Sequence, residues 1–319
     1  MLSLHPQKKI NYKISSYHPQ LATTSTRPRP GSKGAGGTTG MMRTLSQLSR
    51  AEDVQDDWST TRRIGAGYAN LGNTCFMNSV LQCLTHCAPL AEYLLTRDLR
   101  SSSPHGGFCP IVATQEHVRS ALSASGKVIR PAGLARSLKQ INKSFRLGRQ
   151  EDAHEFLRCL LDSLQEACLK GLKPKPVLAI QMTTWVSRIF GGQLRSQVTC
   201  LTCQHPSRTL DPIFDLSLEI NRGNSLEQAL RNFTRAEYLD GDNAYKCEKC
   251  HTRGRAEKRF SIDILPKVLT GSYHENLFFP YIIVHENIIN LTPHGTLNRP
   301  INTTVTSINI YFIHHVFPS

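Results

Sequence analysis

The spacing of apolar residues predicts two buried helices. After Cys75, apolar residues recur every fourth position in two interleaved series, and a longer series with intervals of three and four follows Asp152. The first helix would bury Phe76, Met77, Val80, Leu81 and Leu84, and the second Ala153, Phe156, Leu157, Leu160, Leu161 and Leu164. Both patterns are typical of helices that present one apolar stripe to a core.

Two later segments show the alternation of strands. Apolar and polar residues alternate over residues 193–202 and again over residues 213–220. Ser225 and Gln228 then have the spacing of a capping box, which predicts a short helix through Leu230 and Phe233. Helices and strands in one stretch of chain indicate the α+β class.

Composition divides the chain into three regions. Residues 1–64 are predicted to be a disordered basic leader, since Arg27–Gly37 is rich in Pro and Gly and cannot bury a core. Residues 65–270 carry the helical and strand patterns and are predicted to form the folded domain. Residues 271–319 contain only three charged side chains and five of the thirteen histidines. We expect this last region to be an unrelated, poorly ordered tail.

Charge and cysteine content bound the location and the partners. The net charge is +14, and the first fifty residues contain no Asp or Glu. This leader suits a nuclear-type signal or a nucleic-acid contact, but a solvated tail is the simpler explanation. A mitochondrial transit peptide fits less well because prolines interrupt any helix there. No apolar run approaches the ~20 residues of a membrane span. Ten cysteines without a secretory signal indicate a reducing compartment, so we expect the nucleus, nucleolus or cytoplasm and no membrane partner.

The segment Gly67-Tyr-Ala-Asn-Leu-Gly-Asn-Thr-Cys-Phe-Met-Asn-Ser79 has the parts that a thiol enzyme needs. Gly72 and Asn73 permit a tight turn, and Thr74 can cap the helix that follows. Cys75 would then lie at the helix start, where unpaired N–H groups stabilise a thiolate and can face an oxyanion. Asn70 and Asn73 could each add an amide donor. The alternative is that Cys75 is an inert buried cysteine.

This segment resembles the cysteine box of the ubiquitin-specific proteases, a papain-like family that removes ubiquitin. The resemblance implies an α+β, papain-like fold with a helical thumb, zinc-bearing β fingers at about residues 190–260 and a β palm. It also implies that Cys75 is the nucleophile and that Asn70 is the side chain of the oxyanion hole. The reaction implied is thiol-dependent hydrolysis of the bond after the C-terminal glycine of ubiquitin. The partners implied are ubiquitin and ubiquitinated proteins.

A second segment, Gly148-Arg-Gln-Glu-Asp-Ala-His-Glu-Phe156, resembles the other signature of that family. The resemblance implies that Asp152, with its neighbour Glu151, binds the extended, Arg-containing tail of ubiquitin. Carboxylates pair well with guanidinium groups, so this role is chemically reasonable. The same two carboxylates also suit a helix start, where the helix dipole favours anions. His154 is interpreted as an ordinary histidine on a helix face.

Four cysteines form two C-x-x-C pairs, Cys200 with Cys203 and Cys247 with Cys250. Two such pairs can complete a tetrahedral four-thiolate zinc site, and the resemblance implies one structural zinc ion in the fingers. The alternatives are a redox-active pair or unconnected surface cysteines. His205 and His251 flank the pairs and are surplus to a closed site. The cysteines expected in the core are Cys83, Cys87, Cys109, Cys159 and Cys168.

The resemblance is predicted to end near Thr270, so the palm is expected to be incomplete. The family's Gly-His-Tyr box and its Asn or Asp partner are not found afterwards, and His294-Gly295 has the reverse order. An imidazole typically contributes ~10²–10⁴-fold to such catalysis, so the activity of this chain is doubtful. The break suggests a truncated or alternatively spliced product. The alternation over Ile308–Ile313 could pair with an open palm edge or promote aggregation.

Three functions therefore remain open on sequence. The first is a deubiquitinase, and the second is a non-catalytic, zinc-stabilised fragment that binds ubiquitin. The third is a basic, zinc-stabilised nucleic-acid binder, which is supported by charge alone.

Overall fold

The computed structural model describes most of the region between the leader and the tail. The described residues are 47–99, 107–172, 174, 176–219, 226–274, 281–285 and 310–313, the last two ranges by backbone only. The predicted leader before residue 47 and most of the predicted tail therefore lie outside the described residues.

Most of the described helices lie before residue 191. Their bounds are α1 Cys75–His86, α2 Ala88–Thr96, α3 Pro110–Ser123, α4 Ala132–Arg136, α5 Leu138–Ile141, α6 Ala153–Leu169, α7 Leu178–Gln181, α8 Trp185–Phe190 and α9 Leu226–Phe233. The two helices predicted from periodicity are confirmed as α1 and α6, and every apolar residue predicted to face the core is buried. Among the described helices, none is both long enough and apolar enough to cross a membrane.

Three buried aromatic rings hold α1 against α6. The ring centroids of Phe76 and Phe156 lie 5.7 Å apart with nearly perpendicular planes. Phe145, from the segment before α6, lies 6.2 Å from Phe76 and 6.0 Å from Phe156. Edge-to-face aromatic pairs contribute about 0.5–1.5 kcal/mol beyond their buried area. This cluster fixes the helix that begins at Cys75 relative to the helix that begins after Asp152.

Strands follow in four groups. Their bounds are β1 Gly67–Tyr68, β2 Val128–Ile129, β3 Gly192–Cys200, β4 Pro206–Ile213, β5 Leu216–Glu219, β6 Glu237–Leu239, β7 Tyr245–Lys246, β8 Arg253–Gly254, β9 Ala256–Ile264, β10 Val268–His274, β11 Tyr281–His285 and β12 Ile310–Ile313. β1 pairs with β2 in parallel, and β7 pairs with β8 antiparallel.

The first large sheet has the strand order β4-β3-β9-β6 and is antiparallel throughout. Leu194 and Ile262 on one face belong to a small core that also includes Leu230 of α9. Phe233 at the end of α9 stacks on Phe260 with the ring centroids 5.5 Å apart. The predicted strand at residues 193–202 is confirmed as β3. The sequence did not predict β4 because its exposed residues do not alternate.

The second large sheet has the order β12-β11-β10-β5, with β5 and β10 parallel and the other pairs antiparallel. β10 continues through Thr270 to His274, so the predicted domain boundary after Thr270 is wrong. The described part of the alternating segment, Ile310–Ile313, joins this sheet, since β12 pairs with β11. The predicted boundary cut through a strand because backbone pairing continues beyond the change in composition.

Residues 47–65, here called the strap, pack against the helical region. Ser49 Oγ donates to Thr183 O at 2.7 Å, and the Arg188 side chain donates to Ser49 O at 2.9 Å. Further along the strap, Val54 is buried and Asp53 pairs with Arg97 at 2.8 Å. The predicted leader boundary at residue 64 is therefore too late in the chain, because residues 47–64 are held by specific contacts.

A buried carboxylate explains why the strap is held at its centre. Glu92 of α2 has a side chain that is 1% exposed. Its Oε2 accepts from Ser59 Oγ at 2.8 Å, and its Oε1 accepts from Arg62 Nε at 3.0 Å and Nη2 at 2.9 Å. Because a buried charge is costly unless it is paired and hydrogen-bonded, the strap stabilises the fold at this point.

We expect Arg62→Ala to destabilise the domain by about 1–3 kcal/mol, since the Glu92 carboxylate loses its charged donor. The Arg62 side chain is 31% exposed, which reduces the electrostatic part of the effect. Urea unfolding followed by circular dichroism measures the change. Arg63→Ala, at the exposed neighbouring position, is the control. Equal stability of the two variants would show that the pair of Arg62 and Glu92 contributes nothing to stability.

Candidate active site and metal centre

The loop before α1 turns tightly, as the sequence predicted. Gly72 has φ 99° and Asn73 has φ 53°, both in the left-handed region that Gly and Asn tolerate best. Thr74 is the residue before the helix, and Cys75 is its first residue. The Cys75 side chain is partly exposed rather than sealed in the core. This position argues against the alternative that Cys75 is an inert buried cysteine.

Asn70 organises this loop through its side-chain oxygen. Asn70 Oδ1 accepts from Gly72 N at 3.1 Å, from Thr74 N at 3.0 Å and from Thr74 Oγ1 at 3.3 Å. Because backbone N–H groups can only donate, the oxygen end of the amide must face the loop. The Nδ2 group is then the end that can donate to a ligand. This orientation suits the predicted oxyanion-hole role of Asn70, which itself stays a prediction.

Contrary to the prediction, Thr74 does not cap α1. Its hydroxyl accepts from Leu71 N at 2.9 Å and donates to Asn70, and it makes no capping bond to the helix. The hydroxyl is drawn into the loop because the turn at Gly72 and Asn73 brings Leu71 close to it. The N–H groups in the first turn of α1 are thus not capped by this side chain, which leaves the helix start open to an anion.

Asn73 connects the two signature segments. Its Nδ2 donates to Gly148 O at 2.7 Å, and Gly148 N donates back to Gly72 O at 3.2 Å. The tether uses one of the two N–H donors of the Asn73 amide, so the expectation that Asn73 adds an oxyanion donor stays a prediction. The tether holds the Cys75 loop beside the start of α6, although the two segments are far apart in sequence.

The two predicted tail-binding carboxylates lie together at the start of α6. Asp152 is the residue before the helix, and its Oδ1 accepts from Glu155 N at 2.8 Å. Glu151 Oε1 accepts from Arg146 N at 3.3 Å. The expected role of Asp152 at a helix start is confirmed by this capping bond. The binding of a ubiquitin tail by Asp152 and Glu151 stays a prediction.

The sequence did not reveal a contact between His154 and Asp215. His154 Nε2 lies 3.1 Å from Asp215 Oδ2, with the two side chains 21% and 30% exposed. Asp215 lies between β4 and β5, so this pair connects α6 to the strands. The two residues are 61 positions apart, and neither belongs to a local pattern that would predict the contact. The interpretation of His154 as an ordinary helix-face histidine is corrected accordingly.

The four cysteines of the two C-x-x-C pairs come together. Their Sγ atoms all lie within 4.8 Å of one another, with 3.9 Å between Cys200 and Cys250 and 3.6 Å between Cys203 and Cys247. A tetrahedral ion with metal–sulfur bonds of about 2.3 Å needs sulfur–sulfur distances of about 3.8 Å. The cluster can therefore hold a metal ion. Neither His205 nor His251 belongs to it, as predicted.

Two equivalent turns build this cluster. Gln204 N donates to Cys200 O, and His251 N donates to Cys247 O, each at 2.9 Å. Gln204 and His251 both have φ 57°, the left-handed conformation that closes each turn. The Thr252 hydroxyl lies 2.9 Å from Cys250 Sγ and lowers the pKa of that thiol to about 6. Ready ionisation of Cys250 favours metal binding because the thiolate is the ligand form, whereas desolvation and hydrogen bonds from the neighbouring thiols raise the pKa of Cys203 to about 11.

The other predicted core cysteines are buried or partly buried. Burial raises the pKa values of Cys83, Cys87 and Cys168 to about 12, so these thiols stay protonated. Cys109 and Cys159 are also buried, and all described cysteines are free thiols. Cys75 therefore differs from these five by lying at the start of a helix with its side chain partly exposed.

Comparison with known proteins identifies the family. The family model described as ubiquitin carboxyl-terminal hydrolase matches residues 66–292. The chain belongs to this family. The match begins directly after the strap and extends beyond Thr270, so the predicted end of the resemblance at Thr270 was too early.

Similar relatives occur in animals and plants. Ubiquitin carboxyl-terminal hydrolase 42 of Homo sapiens is 46% identical over 225 residues, covering 70% of this chain and 17% of the relative. Ubiquitin carboxyl-terminal hydrolase 23 of Arabidopsis thaliana is 45% identical over 212 residues, covering 66% and 25%. The 17-like protein 6 of Homo sapiens is 40% identical over 223 residues, covering 70% and 54%. The chain thus spans between about a sixth and about half of these relatives' lengths.

Solved structures of this family confirm the α+β fold. A SAGA DUB module of Ubp8, Sgf11, Sus1 and Sgf73 bound to monoubiquitin matches with TM-score 0.56 and 26% identity, covering 69% of this chain and 56% of that chain. The same module bound to ubiquitin aldehyde matches with TM-score 0.55 and 25% identity, covering 70% and 51%. The helical region is the thumb, the sheet with the cysteine cluster is the fingers, and the second large sheet is the palm. The names of the relatives and of the solved complexes refer to ubiquitin and give no support for a nucleic-acid partner.

Proposed function

We propose that this member of the ubiquitin carboxyl-terminal hydrolase family binds ubiquitin and uses Cys75 as a thiol nucleophile. The observation that carries the proposal is the placement of Cys75 at the open start of α1, beside an Asn70 amide oriented by three contacts. The tether from Asn73 to Gly148 holds this loop next to Asp152, where the ubiquitin tail would bind. Nucleophile, donor and tail site thus occupy one end of the thumb.

The proposed reaction follows from these positions. Cys75 Sγ attacks the carbonyl carbon of the terminal glycine, the carbon–nitrogen bond breaks, and the amine leaves with a proton. The thioester then reacts with water, which restores the thiol and releases the ubiquitin carboxylate. Asn70 Nδ2 and the N–H groups at the start of α1 would stabilise the oxyanion in both steps. Turnover also needs a general acid and base, a role that we assign to no described residue.

A second candidate function is ubiquitin binding without turnover. Asp152, Glu151 and the metal-stabilised fingers form independently of the chemistry at Cys75, so they could hold ubiquitin in a chain that lacks a base. This candidate shares the first one's binding surface but not its reaction. Binding and reaction therefore have to be measured separately.

We also propose that the ion in the cysteine cluster is zinc and that it is structural. Four thiolates in two turns saturate a tetrahedral ion, which supports a structural rather than a catalytic metal. When bound, zinc would fix the ends of β3, β7 and β8 relative to one another. Cys200, Cys203, Cys247 and Cys250 would hold it.

The test uses ubiquitin that carries a thiol-reactive electrophile at its C-terminus, with Cys75→Ser as the control. We expect an adduct with the wild-type chain and none with the variant. Binding of fluorescent ubiquitin is measured in parallel by anisotropy. Binding without a Cys75-dependent adduct would favour the second candidate, and the absence of both from a folded, zinc-loaded sample would overturn the proposed function. Release of a fluorophore from ubiquitin's C-terminus then shows whether the chain turns over.

We propose a nuclear or nucleolar location on the basis of the basic leader, which has no acidic residue before position 51. A fluorescent fusion of the full chain should accumulate in the nucleus, and deletion of residues 1–46 should reduce that accumulation. An unchanged distribution would contradict the proposal.

A further inference from the structure

A cavity of about 470 Å³ lies in the thumb, and residues of α3, β2 and α4 line it. Neither the start of α6 nor the cysteine cluster contributes to its lining. Its apolar side chains include Phe108, Val112, Ile129 and Leu134. Ligand pockets commonly have volumes of about 300–1,000 Å³, so this cavity is large enough to take in a bulky side chain of a bound molecule.

The cavity adjoins the loop of the proposed active site. Ile129 lines the cavity, and its backbone oxygen accepts from Ala69 N at 2.9 Å. Asn70, the proposed oxyanion donor, follows Ala69 directly in the chain. A molecule held in the cavity therefore lies close to the Asn70 loop without occupying the start of α6, where the ubiquitin tail would bind.

The chain around the cavity is strongly basic. Residues 117–150 contain eight Lys and Arg residues and no Asp or Glu. Arg130 and Arg136 from this stretch line the cavity, are exposed, and have no acidic partner among the described residues. Two more exposed cations, Lys127 and Lys139, each lie two positions from a lining residue.

Other charges near the cavity do not cancel this excess. Glu116 is the only carboxylate among the described lining residues, which include two arginines. Burial lowers the pKa of His117, which also lines the cavity, to about 4, so its ring is neutral near pH 7. Arg119 donates to a backbone oxygen, and Arg146 and Arg149 contact acceptors in the segment before α6. The surface around the cavity therefore complements an anion.

An acidic protein segment matches this surface better than the chain's own leader or tail does. The first fifty residues contain no Asp or Glu, and residues 271–319 contain only two. An acidic protein segment also matches better than a nucleic acid, because single strands bind through bases stacked on aromatic rings. Apart from the His117 ring, Phe108 is the only aromatic residue among the described lining residues. The walls are therefore better suited to an apolar side chain than to a row of bases.

We propose that the cavity and the basic surface around it, here called the thumb site, bind an acidic segment of a partner protein. One apolar side chain of that segment enters the cavity, and neighbouring carboxylates pair with Arg130 and Arg136, whose planar guanidinium groups suit carboxylates. Because the positive charge continues to Lys127 and Lys139, an extended acidic chain gains contacts that a small anion does not. In this way the partner is held beside the Asn70 loop.

The probe is a fluorescent heptapeptide with three Glu residues on each side of a central apolar residue, made with Leu, Phe or Trp at the centre. We expect at least one of these peptides to bind the full, zinc-loaded chain at low ionic strength, as measured by anisotropy. A central Gly should weaken binding about ten- to hundredfold, the effect of losing one buried apolar side chain. Replacement of every Glu by Gln should remove detectable binding, since the peptide then carries no charge.

Variants of the chain show where the peptide binds. Gly133 lines the cavity, and a side-chain carbon added there meets no atom within 4 Å, so the backbone accepts a larger residue. Gly133→Trp should weaken binding about tenfold or more by competing for the cavity, whereas Gly133→Ala should bind like the wild type. Arg130→Ala and Arg136→Ala should each weaken binding about two- to fivefold. Arg235→Ala, at an exposed position after α9, is the matched control and should have no effect.

These effects together support the thumb site. No binding by any of the three peptides, or binding that both arginine variants leave unchanged, overturns the inference. A folded Gly133→Trp chain with wild-type affinity also overturns it, and if that variant does not fold, the arginine variants decide. A six-nucleotide single-stranded RNA that binds at least as tightly, with the same dependence on Arg130 and Arg136, overturns it in favour of a general polyanion surface. The assay contains no ubiquitin, so none of these results bears on the proposed function.

Discussion

Removal of the metal ion is expected to unfold the fingers. Apparent binding energies of structural zinc reach about 10–16 kcal/mol, which equals or exceeds the whole stability of an ordinary domain, about 5–15 kcal/mol. β7 and β8 have two residues each, and the four thiols meet between the turns at Cys200 and Cys247, where Leu201 N also donates to Arg255 O at 3.0 Å. Without the ion, the four Sγ atoms, which lie within 4.8 Å of one another, have no common atom to bind.

Cys247→Ser tests this expectation, since serine is a poor zinc ligand and Cys247 is buried. The variant should bind no stoichiometric zinc and should lose β-sheet signal in circular dichroism. Cys168→Ser, which removes a thiol outside the cluster, is the matched control and should keep one zinc ion. A Cys247→Ser chain with a wild-type spectrum and wild-type thermal stability would contradict a structural role for the metal.

Replacing Asn70 by Asp is expected to weaken the reaction at Cys75 by about 10²–10³-fold, the usual effect of losing one oxyanion donor. Aspartate keeps an oxygen for the N–H groups of Gly72 and Thr74, so the loop retains its two backbone contacts. It cannot donate to the oxyanion, and its charge opposes a negative oxygen nearby. The affinity for ubiquitin aldehyde measures this loss, because the aldehyde forms a tetrahedral adduct with a thiol.

Asn70→Ala distinguishes the donor from the scaffold. It removes both the donor and the three contacts to the Asn70 oxygen, so we expect a lower melting temperature as well as weaker aldehyde binding. Asn70→Asp should lower the affinity with a much smaller change in melting temperature. Asn232→Asp on α9 is the charge control. Unchanged aldehyde affinity in Asn70→Asp would remove Asn70 from the oxyanion hole.

The sequence alone predicted α1, α6 and the strand β3, because their burial patterns repeat over a few residues. It also predicted the cysteine cluster, since each C-x-x-C pair is one local turn and two pairs complete one tetrahedral site. The position of Cys75 at a helix start was also predicted from a local pattern. Gly72 and Asn73 fixed the turn, and the apolar period fixed where the helix begins.

Contacts between distant segments were decided only by the tertiary structure. The strap closes over Glu92 from about thirty residues away, and β10 runs through the predicted boundary at Thr270 because its partners are β5 and β11. The contact between His154 and Asp215 has the same character. Short-range backbone preferences leave a periodic signal in sequence, whereas a hydrogen bond or ion pair between remote residues depends on how whole elements pack, and no local pattern encodes it.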